Sequence, residues 1–164
     1  MLKAEGSLIT EKLQKLIGVP WEPQIIKIEE GAIQRYTEAI GDPNPLYNNI
    51  DYAKRSKYGR LMCPPGFTGW AVKETRMLGF EVTDTLINNG APPLPMDGGI
   101  EFEFLLPIGA GDMLVATTKI TKITERETKA GKMLFSQAET TYLNLNGEVA
   151  LKHVATYINR YPAS

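Results

Sequence analysis

Histidine and cysteine are nearly missing from this sequence: there is one of each in 164 residues. A single cysteine, Cys63, excludes an intramolecular disulfide framework and fits a reducing compartment. One His and one Cys cannot build a zinc site of the Cys/His type within one chain. No clustered carboxylate motif points to a hard cation either, so neither metal nor cofactor is expected. A mechanism that needs imidazole must use His153 or take a histidine from another chain. An excess of one charge sign is also lacking. Lys plus Arg is 18 and Asp plus Glu is 19, a formal net charge of −1, which argues against a general nucleic-acid binder. No run approaches the roughly 20 apolar residues that span a membrane. The first residues, Met1 to Gly6, lead into a charged stretch rather than an apolar signal core. A cytoplasmic chain with no membrane partner is the expectation.

What is there is an ordinary globular composition, 43% hydrophobic and 23% charged. The length suits one domain over 1–164 with a core that needs no staples. Residues 7–18 pattern as a short amphipathic helix, with Ser7 as its cap and Gly18 and Pro20 as its stop. Ile25-Ile26-Lys27-Ile28 suits a strand. Glu29 and Glu30 open a helix in which Ile33, Tyr36, Thr37 and Ile40 recur at helical spacing, and Gly41 ends it. The prolines of 41–49 exclude a continued helix and predict a rigid loop. A second short helix is expected through Asp51, Ala53 and Lys54. Pro64-Pro65 reads as the entry to an apolar helix to about Gly79, with Phe67, Trp70, Ala71, Thr75 and Leu78 on one face. Asn88 to Pro95 reads as flexible. From Met96 the pattern is β: alternation at Ile100, Phe102 and Phe104, then strands over Met113–Thr124, Met133–Leu145 and Glu148–Asn159, the last two joined at Asn146-Gly147. Helices first and an antiparallel meander second predict an α+β fold, with the bent sheet wrapped around the apolar helix of 66–79.

Three clusters could carry chemistry. Asp42, Asn44, Tyr47, Asn48, Asn49 and Asp51 form the densest polar group, on a backbone stiffened by proline. Asp and Asn equally make turns in such loops. Pro64-Pro65-Gly66-Phe67 could present free N–H groups at a helix start to a carbonyl or an anion, or could simply start a helix. Lys54, Arg55, Lys57 and Arg60 could receive the phosphates of a carrier, or form a solvated face. His153 sits in strand alternation with Leu151 and Ala155, with no acidic partner nearby in sequence. Cys63 reads as a buried structural thiol, and nothing specific pairs it with His153.

At Gly41-Asp42-Pro43-Asn44-Pro45-Leu46-Tyr47-Asn48-Asn49 the sequence resembles the MaoC-like dehydratases of the hot-dog superfamily, in the branch of the N-terminal half of MaoC dehydratase. The resemblance covers nearly the whole chain. It continues through Tyr58-Gly59-Arg60, Pro64-Pro65-Gly66-Phe67, Pro95-Met96-Asp97-Gly98-Gly99, Glu101-Phe102-Glu103-Phe104, Pro107 to Asp112 and Gly131 to Phe135.

The resemblance implies a single hot-dog domain, an antiparallel sheet around a central helix that dimerises through its sheet. It implies reversible water addition to a 2-enoyl thioester of coenzyme A or acyl carrier protein, giving an (R)-3-hydroxyacyl thioester. Active relatives read Gly-Asp-x-Asn-Pro-x-His-x-Asp in the loop. Asp42 then matches the catalytic Asp, Tyr47 stands at the His position, and Asn49 stands at the later Asp. Asn44, Asn49, Pro65, Gly66, Phe67 and Trp70 become substrate-binding candidates, with Lys54, Arg55, Lys57 and Arg60 as carrier-phosphate candidates. A phenol with a pKa near 10 is a poor base at neutral pH, so the departure at Tyr47 suggests an incomplete site. The chain is then expected to work as a substrate-binding subunit, in a homodimer or beside a second MaoC-like chain that has the histidine. A non-catalytic acyl-thioester binding protein is the alternative. A thioesterase, for which Glu74 is the acidic candidate on the helix, is a further one.

Overall fold

The computed structural model describes residues 6–67, 72–73, 76–129 and 131–162. Its strands, in chain order, are β1 (Gln24–Lys27), β2 (Val72–Lys73), β3 (Arg76–Met77), β4 (Leu94–Phe104), β5 (Met113–Thr128), β6 (Gly131–Leu143) and β7 (Val149–Arg160). β2 and β3 pair with each other, and the other five form one antiparallel sheet in the order β1-β5-β6-β7-β4. β5, β6 and β7 are the expected meander. β4 does not join it through the turn at 107–112. The edge of β5 is taken by β1 and by the N-terminal segment, where the Gly18 and Trp21 N–H groups donate to Ile120 and Thr118. The chain therefore crosses from β4, at the far edge beside β7, back to β5.

Alternation sets which face is inside. Leu114, Ala116, Thr118 and Ile120 of β5 and Leu134, Ser136, Ala138, Thr140 and Tyr142 of β6 are buried, with half-exposed residues between them. The helices are α1 (Glu11–Gln14), α2 (Glu30–Ile40), α3 (Pro45–Asn48), α4 (Ile50–Arg55) and α5 (Leu78–Asn88). The sheet wraps α5. Val82 and Leu86, one turn apart, pack against Ile120, Ile123, Leu134, Ala138, Ala155 and Tyr157. No helix among the described residues is long and apolar enough to cross a membrane.

Several expectations shift. The first helix is a single turn capped by Thr10, whose hydroxyl accepts from the Leu13 N–H, and not by Ser7, which is held by the Glu125 carboxylate on β5. The helix expected over 66–79 lies partly outside the described residues, with Trp70, Ala71, Glu74 and Thr75. Of the described part, β2 and β3 pair as strands, and the helix that the sheet wraps begins only at Leu78. The stretch 88–95 is anchored rather than flexible. The Asn159 amide donates to Pro92 O at 2.9 Å, the Thr10 hydroxyl donates to Asn89 O, and Ala91 is buried.

The core has two parts. One gathers Ile26, Ile28, Ile33, Ala53, Leu61, Phe67, Ile108, Leu114, Ala116, Tyr142 and Leu151. The other gathers Leu8, Leu13 and the residues around α5. A polar row lies between them on the inner face: Thr118, Thr140 and His153 are register neighbours on β5, β6 and β7. The two threonine hydroxyls bond to each other at 2.8 Å, both buried.

Candidate functional site

Helix α2 delivers the chain to the polar loop. It stops because Gly41 turns left-handed at φ 66, with its N–H on Glu38 O, and because the Asp42 N–H then closes on Thr37 O. Asp42 folds the loop onto itself. Its Oδ1 accepts from the Asn44 N–H at 2.9 Å, and its carbonyl accepts from the Asn48 side-chain amide at 3.1 Å. Asn44 accepts from the Leu46 N–H, which caps α3, and Pro45 takes the first helical position, where its missing N–H costs nothing. The rigid loop expected over 41–49 thus contains a helical turn. Asn49 is exposed and accepts from the Tyr52 N–H as the cap of α4. Asn44 and Asn49 therefore act as caps, which is the plainer of the two readings that their residue types allow.

Tyr47 lies half-buried in α3. Its carbonyl receives the buried Thr37 hydroxyl at 3.5 Å, a hydroxyl whose closer acceptor is Ile33 O at 2.8 Å. A recess of about 340 Å³ opens beside the loop, lined by Gln34, Thr37, Glu38, Gly41, Asp42 and Asn48.

The second cluster lies against the first. The Met62 N–H donates to Leu46 O at 3.0 Å, which ties the loop to the segment leading into Pro64. Pro64 to Phe67 is a closed turn: the Phe67 N–H donates to Pro64 O at 3.1 Å, and Gly66 sits at φ 89. This corrects the expected helix start. Left-handed Gly66 cannot begin a right-handed helix, and the Phe67 N–H is already engaged rather than free for a substrate carbonyl. Phe67 is buried with its ring 5.1 Å from that of Tyr36 on α2, and Pro65 is exposed on the outside of the turn. Trp70, expected on the same face, lies outside the described residues. Tyr36 is the residue that the motif reading leaves out, although its place in the α2 periodicity is visible.

The basic cluster does not hold together as one receptor. Lys54 and Arg55 are exposed in the last turn of α4, where they complement the helix dipole. Lys57 lies over the Tyr58 ring at 5.0 Å. Arg60 grips Asp112 with both of its terminal nitrogens and also donates to Ala110 O, so its guanidinium fastens the loop after β4 rather than offering itself to a phosphate.

His153 lies on the inner face of β7. Its Nδ1 is 3.1 Å from the Tyr142 hydroxyl, and its ring meets the edge of Phe102 at 5.7 Å. Burial pushes its pKa down to about 4, so it is neutral at physiological pH. Burial, reinforced by the nearby Asp112 charge, pushes the Cys63 thiol up to about 12, which makes it an inert thiol. Among the described residues no group of three or more His, Cys, Asp or Glu is placed to hold a metal ion.

The sequence matches the family model of the FAS1-like, dehydratase domain region over residues 15–153. A protein of Streptomyces avermitilis named UPF0336 is 29% identical over 153 residues, covering 88% of this chain and 87% of that one. The ChsH1-ChsH2 complex from Mycobacterium tuberculosis superposes with a TM-score of 0.69 at 17% identity, covering 93% of this chain and 96% of its own. The HadBC (3R-hydroxyacyl-ACP dehydratase) complex from the same organism gives 0.66 at 17% identity, covering 88% and 97%. The MaoC-like dehydratase from Rhodospirillum rubrum gives 0.58 at 23% identity, covering 92% and 97%. At these identities the structures speak for the fold, which is the hot-dog fold of MaoC-like proteins.

Proposed function

The chain belongs to the family of FAS1-like dehydratase domain regions, and from that premise we propose that it is a subunit of an (R)-specific 3-hydroxyacyl-thioester dehydratase or enoyl hydratase. It binds the acyl thioester beside a second hot-dog chain that supplies the histidine. The carrier is coenzyme A or an acyl carrier protein.

The observation that carries this reading is a tyrosine, Tyr47, at the His position of a loop that keeps the motif's Gly41, Asp42, Asn44 and Pro45 and departs again at Asn49. Water addition moves one proton off the attacking oxygen as it bonds to C3, and another proton onto C2. The charge passes meanwhile through an enolate at the thioester carbonyl. Such a step needs a base whose pKa lies near the working pH. Tyr47 puts a phenol where the family motif places an imidazole. The chain's one imidazole, with a pKa near 4, is a weak base and is already in contact with Tyr142. Asp42 remains to orient water or a partner's imidazole. Its loop is pinned by the Asn44 and Asn48 hydrogen bonds, as preorganisation requires. Two of the structural neighbours are complexes of two named chains, and β4 here offers a long sheet edge to a partner.

The purified chain is expected to hydrate a short 2-enoyl-CoA no faster than background, measured as loss of enoyl absorbance. Tyr47→His is expected to raise the rate by roughly two to four orders of magnitude, the usual worth of a placed acid–base group. Co-expression with a hot-dog chain bearing an intact Asp-x-Asn-Pro-x-His motif is expected to give turnover. Brisk turnover by the unmodified chain alone, lost in Asp42→Asn, would show instead a self-sufficient enzyme working with tyrosine.

A further inference from the structure

The open edge of the sheet is β4. Among the described residues it pairs only with β7, runs eleven residues, and leaves Ile100 51% and Phe104 41% exposed. The opposite edge is short and flanked by the N-terminal segment. An apolar edge this long invites another strand. Its charges are of one sign: Leu94 to Phe104 contains Asp97, Glu101 and Glu103 and no Lys or Arg. Glu101 and Glu103 stand opposite Val154 and Lys152 of β7, on the face away from Phe102 and His153. Both are exposed, and neither makes a hydrogen bond or ion pair among the described residues.

We propose that β4 selects by charge, accepting a partner chain whose own edge strand is basic and rejecting a second copy of this one. The proposal rests on the two-chain reading above and adds the chemistry of the partner's edge. The geometry is simple. Two copies of one strand pair antiparallel about a two-fold axis, and residues directly opposite share a face. An axis at Glu101 sets Glu101 against Glu101. An axis at Phe102 sets Glu101 against Glu103 twice. An axis at Glu103 sets Glu103 against Glu103. Each register that buries Ile100 and Phe104 across the seam therefore brings carboxylates within cross-strand reach, where like charges repel. Moving the axis toward Leu94 draws Glu101 and Glu103 toward Asp97 of the other copy and runs the seam through the irregular register between Asp97 and Gly99. Lys or Arg opposite the two glutamates turns the same contacts attractive and favours the mixed pair over the self-pair.

The test uses the chain itself as the basic surrogate. Glu101→Lys with Glu103→Lys gives a basic edge on the same scaffold, and circular dichroism checks its fold. Sedimentation equilibrium is then run on the unmodified chain, the variant and an equimolar mixture. The mixture is expected to associate at least about tenfold more tightly than either component alone, with an advantage that salt abolishes. The charge-neutral pair Glu101→Gln and Glu103→Gln is expected to self-associate severalfold more tightly than the unmodified chain. An unmodified dimer as tight as the mixture, or a Gln variant no tighter than the unmodified chain, overturns the proposal. Enoyl-CoA hydration measured on the same samples separates the two ideas. A tight but inactive unmodified dimer refutes charge selection alone, and a tight and active one refutes the two-chain reading as well.

Discussion

Gly66 is held by two independent demands. Its φ of 89 lies where L residues are strained, and a Cβ there would come within 3.0 Å of the Tyr36 hydroxyl. Gly66→Ala is expected to cost about 1–2 kcal/mol in chemical denaturation. Adding Tyr36→Phe removes the hydroxyl and should recover only part of that loss, because the backbone strain stays. His153 carries a different kind of signature. Its pKa is near 4 in the fold and near 6.5 in the unfolded chain. As pH falls below 6.5 the unfolded chain takes up the proton first, so the folded state loses stability down to about pH 4 and gains no further penalty from this group below that. Denaturation midpoints measured across that window should fall with pH, and His153→Gln should flatten the slope.

At the scale of elements, Arg60 and Asp112 join the segment after α4 to the loop before β5. Asp112 also accepts from the Gly109 N–H, and its own carbonyl receives the Ile28 N–H, so one residue fastens three segments. Arg60→Lys keeps the charge and loses the two-pronged grip. The pair is part-exposed, with side chains 38% and 26% accessible, so the expected loss in thermal or chemical denaturation is modest, about 1 kcal/mol or less. This pair also shows what the chain's order hides: 52 residues separate the partners, and no local pattern announces the contact. The strands were readable because alternation is a local property, and β1, β5, β6 and β7 fall within a few residues of their patterned ranges. The Asp42 loop was readable because Pro and Asx residues act on their own neighbours. The central helix was harder. The spacing from Phe67 to Leu78 predicts a helix, but Gly66 is left-handed and, in the described part of that stretch, Val72–Lys73 pair with Arg76–Met77. The helix that forms has its own signals, Val82 and Leu86 one turn apart with Asn89-Gly90 behind them. The site was legible to the same degree: the loop and the turn stood out, but their contact through Leu46 O, Met62 N and the Tyr36–Phe67 rings depends on folding.

For the whole molecule, the division of the core matters most. Ile33 belongs to the cluster that supports the loop and the turn, and Ile120 to the one that packs on α5. Ile33→Val and Ile120→Val are each expected to cost roughly 1 kcal/mol, and the double variant to cost their sum within about 0.5 kcal/mol, because the two share no apolar cluster. A clear departure from additivity would mean that the halves respond as one.

The row of Thr118, Thr140 and His153 that parts these clusters bears on how such a chain can change over generations. A side chain altered on one side of the row meets hydroxyls bonded to each other rather than a continuous apolar interior that must repack. The half that carries the loop and the turn can then accumulate substitutions while the half that seats the sheet on its helix stays as it is. The row works as a firebreak, and the freedom to remodel a site is written into the part of the sheet that looks least like a hydrophobic core.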